Sequence, residues 1–227
     1  MILDLHSHST ASDDGRAKVD NYCQWIERKA LPLDGFVLTE HRQFDDRSDY
    51  RALEDRFGLL ILKASEVETE YGHVLVFGVN DDLRAAFDFA RIDNRLEDVL
   101  AAAKRCGAIA VPCHPGRPKV GLCAHWETRG PVAGVEIVET LNGGSRAGED
   151  ALALRYANEQ GWRRIGGSDS HIVSHIGRCA TRFEEPIRDI DGLVAALANG
   201  GYDACRALAP EAGSAGGPDV APGADPQ

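Results

Sequence analysis

The sequence predicts an α/β fold that closes into a barrel, and three observations carry that expectation. Short apolar runs rich in Val, Ile and Leu alternate with amphipathic segments along most of the chain. The runs are four to seven residues long and largely apolar, as strands buried on both faces are. The chemically interesting polar residues fall at the C-terminal ends of successive runs, which is how a barrel assembles a site.

The strands are read as 2–6, 35–39, 59–65, 73–79, 108–112, 134–138 and 162–165. Between them, Leu96, Val99, Leu100 and Ala103 follow the i, i+3, i+4, i+7 spacing of a helix face, with Asn94 as the expected cap and Gly107 as the stop. Asp20 is expected to cap an earlier helix in which Tyr22 and Ile26 lie one above the other. Segments 147–160 and 191–199 read as two more helices, ending at Gly161 and Gly200. No G-x-G-x-x-G follows the first run, so a dinucleotide-binding fold has no support. Residues 210–227, made almost wholly of Pro, Gly, Ala and small polar residues, read as a disordered tail after a single domain.

Composition narrows the function classes. The net charge of −11 argues against a large nucleic-acid surface, though not against a small anionic substrate. No run of 18 apolar residues suggests a membrane span. The N-terminus has no basic region ahead of an apolar core, so a cytoplasmic location is expected. The six cysteines show no C-x-x-C spacing and read as free, mostly buried thiols.

The chemistry lies in five segments. Asp4-Leu5-His6-Ser7-His8 ends the first strand, and on a strand His6 and His8 share a face. Ser12-Asp13-Asp14-Gly15 follows as a turn expected to fold Asp13 back over the strand end. Thr39-Glu40-His41-Arg42 closes the second strand. Ser65-Glu66 closes the third, and Tyr71-Gly72-His73 opens the fourth. Cys113-His114-Pro115 closes the fifth, and Gly167-Ser168-Asp169-Ser170-His171 follows the seventh.

Singly, each piece has an ordinary reading: a surface His-x-His, an Asp-Asp-Gly turn, a His-Pro loop, an acidic stretch around Glu66, a helix-capping Asp169. Together they do not, because six of the eight histidines fall at strand ends. His6, His8, His41, His73, His114 and His171, with Asp13, Glu66 and Asp169, make nine candidate ligands without a thiolate. That set suits more than one borderline cation such as Zn, Mn or Fe. Three ions sharing a bridging carboxylate would use it fully. Cys113 reads as packed rather than liganded, and Asp4 as a candidate to orient a ligand imidazole.

These five segments, in this order, resemble the PHP (polymerase and histidinol phosphatase) family over roughly residues 2–206. The motifs that carry the resemblance are Asp-Leu-His-Ser-His-Ser-Thr with Ser-Asp, Thr-Glu-His, Glu66 with Gly-His, His-Pro, and Gly-Ser-Asp-Ser-His. Glu40 stands where the family usually has Asp, and is read as lying outside the ligand set.

The resemblance implies a distorted (β/α)7 barrel with a trinuclear metal centre, of the stand-alone type, and hydrolysis of phosphate esters. It implies one ion held by His6, His8, Glu66 and Asp169, a second by Glu66, His73 and His114, and a third by Asp13, His41 and His171. The expected activity is hydrolysis of a small phosphomonoester or nucleotide phosphate by a metal-bound hydroxide. The expected substrate is a small phosphorylated molecule, such as a nucleotide or a short oligonucleotide. Glu66, Asp169 and His171 are the expected catalytic residues; either His171 or a metal-bound water would protonate the leaving group. Arg117, Arg146 and Arg42, in loops after strands, are the candidates to fork onto a phosphate.

Two other readings compete. An amidohydrolase-like enzyme acting at carbon also begins with His-x-His, but usually wants a carboxylated Lys after a middle strand, and only Lys63 lies near. A non-catalytic metal- or nucleotide-binding module would be expected to have lost ligands that are all present here.

Overall fold

The run that opens the chain is buried almost end to end; Leu3, Asp4, Leu5, His6 and Ser7 have no accessible surface. The structure, a computed structural model, describes residues 1–207, so the expected tail at 210–227 lies outside the described residues. In chain order the elements are β1 (Ile2–Ser7), α1 (Val19–Lys29), β2 (Gly35–His41), α2 (Arg51–Phe57), β3 (Leu60–Thr69), β4 (Gly72–Phe77), α3 (Asp81–Ala86) and α4 (Leu96–Arg105). There follow β5 (Ile109–Pro112), α5 (Leu122–Arg129), β6 (Ile137–Asn142), α6 (Glu149–Gln160), β7 (Arg163–Gly167), β8 (Ala180–Phe183), α7 (Ile190–Asn199) and β9 (Tyr202–Cys205).

The fold is mixed α/β. Seven strands form one curled sheet in the order β5-β4-β3-β2-β1-β8-β9, while β6 and β7 form a separate parallel pair. The pair is joined to β1 just beyond β7: Asp169 N donates to His6 O at 2.8 Å, and His8 N to Ser170 O at 2.8 Å.

The sheet departs from the expected all-parallel one. β4 runs antiparallel to both β3 and β5, because only Glu70 and Tyr71 separate paired Thr69 and Gly72. A parallel return needs a crossover of a dozen residues or more. Gly72 takes a φ of 106°, and a Cβ there would lie 2.2 Å from the Val120 carbonyl oxygen. β8 likewise runs antiparallel to β1 and to β9.

Strand alternation fills the interior. One core cluster draws Leu3 and Leu5 from β1, Val37 from β2, Leu62 and Ala64 from β3, and Leu75 and Phe77 from β4. It adds Val111 from β5, Ile137 from β6 and Ile165 from β7. The curled sheet and the β6–β7 pair thus surround a packed core, not a pore.

The helices lie outside and mostly match expectation, but their caps differ. α4 buries Leu96, Val99, Leu100 and Ala103. Its first turn is held by Glu70, whose carboxylate accepts from Leu96 N at 2.8 Å. Asn94 instead donates to the carbonyls of Glu68, Asp88 and Arg91. α1 starts at Val19, one residue before Asp20, so Asp20 sits inside the first turn and accepts from Gln24. All six cysteines are free, four of them buried. Among the described residues no helix is long and apolar enough to cross a membrane.

Candidate metal centre

The centre is a continuation of the interior alternation. Two residues beyond an inward apolar residue, each strand presents a polar one: Ala64 leads to Glu66, Leu75 back to His73, Ile137 to Glu139, and Ile165 through Gly167 to Asp169. β4 runs the other way, so its first residues reach the same edge as the last residues of its neighbours.

β1 needs an extra device, because Leu3 and Leu5 point inward and simple alternation would send His6 outward. A register shift lies between Asp4, paired with Phe36, and Ser7, paired with Leu38. This bulge accommodates one additional residue and re-aims the strand end, so His6 and His8 join the inward face.

Glu66 is the hub. Its Oε2 lies 3.0 Å from His6 Nε2, 3.1 Å from His8 Nε2 and 3.2 Å from His41 Nδ1. Its Oε1 lies 2.7 Å from His73 Nδ1 and 3.2 Å from His114 Nε2. Asp169 Oδ1 stands 3.5 Å from the Nε2 atoms of both His6 and His8, which are themselves 3.1 Å apart. His41 Nε2 lies 3.3 Å from His171 Nε2.

These spacings fit a divalent cation. A tetrahedral ion with bonds of about 2.0–2.1 Å holds its ligand atoms roughly 3.3 Å apart. The known edges among His6, His8, Glu66 and Asp169 are 3.0–3.5 Å. A second group comprises His6, Glu66, Cys113 and His114, and a third His8, His41 and His171.

The electrostatics agree. Burial opposes the charge of Glu66 and Asp169, yet the imidazoles around them hold both carboxyls well below the usual range. Burial also opposes a charged His6, but Glu139, Asp169 and Glu66 outweigh it and raise the ring well above its ordinary value. His8 is pushed up to about 9, with burial overcome by hydrogen bonds to Asp169 and Glu66. The carboxylates thus demand positive charge, which protons or cations can supply in competition.

The structure brings together eight of the nine expected residues: His6, His8, His41, Glu66, His73, His114, Asp169 and His171. Asp13 is not among them. Its side chain is 69% exposed and accepts from Arg42 Nη2 at 2.8 Å. Its neighbour Asp14, itself 56% exposed, turns toward the rim of the cluster instead, with Oδ2 3.2 Å from His171 Nε2 and 3.5 Å from His41 Nε2. The Ser12–Gly15 turn is closed by Gly15 N donating to Ser12 O, which puts both aspartates at its corner and sends them in different directions.

Three supporting roles emerge. Glu40 does not reach the cluster; it accepts from Ser9 N, Ser9 Oγ and Ser12 Oγ and so pins the loop after β1. Asp4 orients no imidazole. It accepts from Ser168 N and Gly177 N, each at 2.8 Å, and burial pushes its carboxyl up to about 6.

The third role sequence reasoning missed. Glu139, fully buried, faces His6 Nδ1 at 3.1 Å through Oε1 and accepts from His114 N and Asn142 Nδ2 through Oε2. A carboxylate on Nδ1 fixes the tautomer that leaves Nε2 free for a metal. Glu139→Gln is therefore expected to weaken metal binding by about 10–100-fold, measured by competition with a chromophoric chelator. Wild-type affinity would show that the ring needs no such partner.

Of the three arginines, Arg117 donates from Nη2 to Asp169 Oδ2 at 2.8 Å and to Asn142 Oδ1 at 3.0 Å. Arg42 is taken up by Glu68 and Asp13, and Arg146 is exposed on the turn before α6. Arg42, His114 and Asp169 all have left-handed backbones, with φ of 54°, 32° and 51°. Such strain concentrates at functional sites.

The PHP-associated family model matches residues 149–201, which hold α6, β7, Asp169 and His171. Over those residues the chain resembles PHP-associated proteins. No curated protein matches the sequence significantly. Among solved structures, PsfC of Pseudomonas syringae PB-5123 is similar to this chain at 20% identity and a TM-score of 0.66, covering 90% of this chain and 91% of that one. A Bifidobacterium adolescentis protein assigned as a metal-dependent phosphoesterase aligns at 17% identity and a TM-score of 0.56, over 86% of this chain and 95% of its own. An amidohydrolase of Chromobacterium violaceum, solved with bound sulfate and no metal, aligns at 18% and 0.60, over 91% and 98%. At these identities the likeness is one of fold.

Proposed function

We propose that the PHP-like chain is a metal-dependent phosphoesterase acting on a small phosphomonoester or nucleotide phosphate. The observation that carries this reading is the single buried carboxylate, Glu66, in reach of five imidazoles. One side chain can bridge ions only if it lies between their other ligands, as Glu66 does. Three ions of the Mn, Zn or Fe type would be held by His6, His8, Glu66 and Asp169; by Glu66, His73 and His114; and by His41 and His171 with Asp14 in place of Asp13. Bound there, the cations would supply Lewis acidity toward phosphoryl oxygens and an acidified water as nucleophile.

The protein's own residues do the rest. Glu139 orients His6, and Asp4 ties β1 to the loop that carries Asp169. Arg117, among the described residues, donates only through Nη2, which leaves Nε and Nη1 for a phosphoryl oxygen at the edge of the centre. Arg117→Ala is expected to raise KM for phosphate substrates by about tenfold while lowering kcat less. The opposite split would assign Arg117 to the transition state.

Reaction at carbon is disfavoured by Lys63, the lysine that a carboxylated-lysine site would use. Lys63 alternates with inward Leu62 and Ala64, and its Nζ donates to Ser48 O. A similar fold occurs in the lesion-specific endonuclease EndoQ of Pyrococcus furiosus, at 15% identity and a TM-score of 0.62, but this chain spans 57% of that one. The charge of −11 favours a small substrate over a duplex.

The test is elemental analysis of purified protein paired with phosphate release from nucleotides and sugar phosphates, beside a panel of amides and lactones. Metal-dependent phosphate release is expected. Turnover confined to the carbon substrates would overturn the assignment.

A further inference from the structure

Of the four buried thiols, one lies against the proposed centre and has no role yet. Cys113 is fully buried and its Sγ lies 3.4 Å from Glu66 Oε1 and 3.4 Å from His114 Nε2, which are themselves 3.2 Å apart. It occupies the inward position on the β5 side, two residues beyond core residue Val111. The corresponding positions on β3 and β6 carry Glu66 and Glu139. His114, by contrast, reaches the cluster only through a left-handed backbone with φ of 32°. Its side chain is 1% exposed, and its Nδ1 is buried with no hydrogen-bond partner.

We infer that Cys113 is itself a metal ligand, which with Glu66 and His114 gives one ion of the centre a mixed sulfur, oxygen and nitrogen shell. The inference rests on reading the cluster as a metal centre. Sulfur bonds to zinc are about 0.3 Å longer than nitrogen bonds, so a tetrahedral S···N edge runs to roughly 3.6 Å, close to the separation here. A coordinated thiol gives up its proton outright and becomes a soft ligand. Soft thiolate selects zinc, cobalt or iron(II), whereas a shell of imidazole and carboxylate alone also accepts manganese. Cys113 therefore determines which cation that position prefers.

Cobalt(II) substitution of the full chain tests this, read by absorption rather than turnover. The wild-type protein loaded with cobalt should show a sulfur-to-cobalt charge-transfer band in the near ultraviolet. Cys113→Ser should lose the band but keep the visible bands of bound cobalt. Its zinc affinity should fall by more than about tenfold, with manganese affinity nearly unchanged. Should the variant not fold, X-ray absorption on zinc-loaded wild type decides alone, through a sulfur scatterer at about 2.3 Å. Cobalt or zinc bound with only nitrogen and oxygen neighbours would overturn the role of Cys113 and leave the metal centre standing. Folded protein that binds neither ion would overturn both.

Discussion

A Glu66→Gln protein is expected to fold, to purify without its full metal complement, and to turn over about 1,000-fold or more slowly. That exceeds the 10–100-fold typical of a residue that only supports a ligand. The glutamine is nearly isosteric, so the core beneath it, Leu62 and Ala64 on the same face of β3, has no reason to repack. Its chemistry, however, is reversed on one side. An amide has one accepting oxygen and one donating nitrogen, where the carboxylate now faces three imidazoles through Oε2 and two through Oε1. Amide hydrogens would point at ring nitrogens whose lone pairs a metal needs. Stability offers a second readout. A ligand at a thousandfold excess over its Kd stabilises the folded state by about 4 kcal/mol, so a chelator should lower the wild-type Tm by about 10 °C. The variant's Tm should hardly respond. Full metal content in Glu66→Gln would remove Glu66 from the centre.

Much of this site is legible in the sequence because a strand's period of two is visible in it. His6 and His8 share a face for that reason, and so do Asp169 and His171 in the single-letter pattern. What the pattern hides is where that face points. The bulge between Asp4 and Ser7 has no sequence signature, yet it turns the two histidines inward. Glu139 escaped notice because the strand expected at 134–138 in fact spans Ile137–Asn142, which moves its end onto Glu139 and Asn142. The inward alternation from Ile137 was a signal available to find it.

Asp13 and Asp14 are adjacent, chemically identical and both exposed, so only the direction of the turn separates the one paired with Arg42 from the one beside His41 and His171. β8 and β9, four residues each, are too short for a pattern to rise above the background. The antiparallel β4 was readable in principle, since Glu70-Tyr71-Gly72 leaves no room for a crossover.

Gly167→Ala is expected to cost about 3 kcal/mol, at the upper end for overpacking, and to displace His6. A Cβ at Gly167 would stand 2.4 Å from His6 Cβ, 2.7 Å from His6 N and 2.8 Å from Glu139 Oε1. The two His6 atoms cannot swing aside, and the Glu139 carboxylate is held in place by His6, His114 N and Asn142. Two belong to β1 at its bulge, and the third is the carboxylate that orients the His6 ring. Nor can the strands simply part, because Asp169 N and His8 N bond across the same seam at 2.8 Å each. The methyl group must push β1 away from β7, breaking those bonds, or drive Glu139 off His6 Nδ1. Either movement alters the position of an Nε2 that lies 3.0 Å from Glu66 and 3.5 Å from Asp169. For a chain of this size, 3 kcal/mol corresponds to a Tm drop of about 6–12 °C, seen by calorimetry. Metal affinity should fall as well, even at temperatures where the variant is fully folded. A Gly167→Ala protein with wild-type Tm and metal affinity would mean that the seam between β1 and β7 is slack. The geometry of the centre would then have to be set from the β3 side alone.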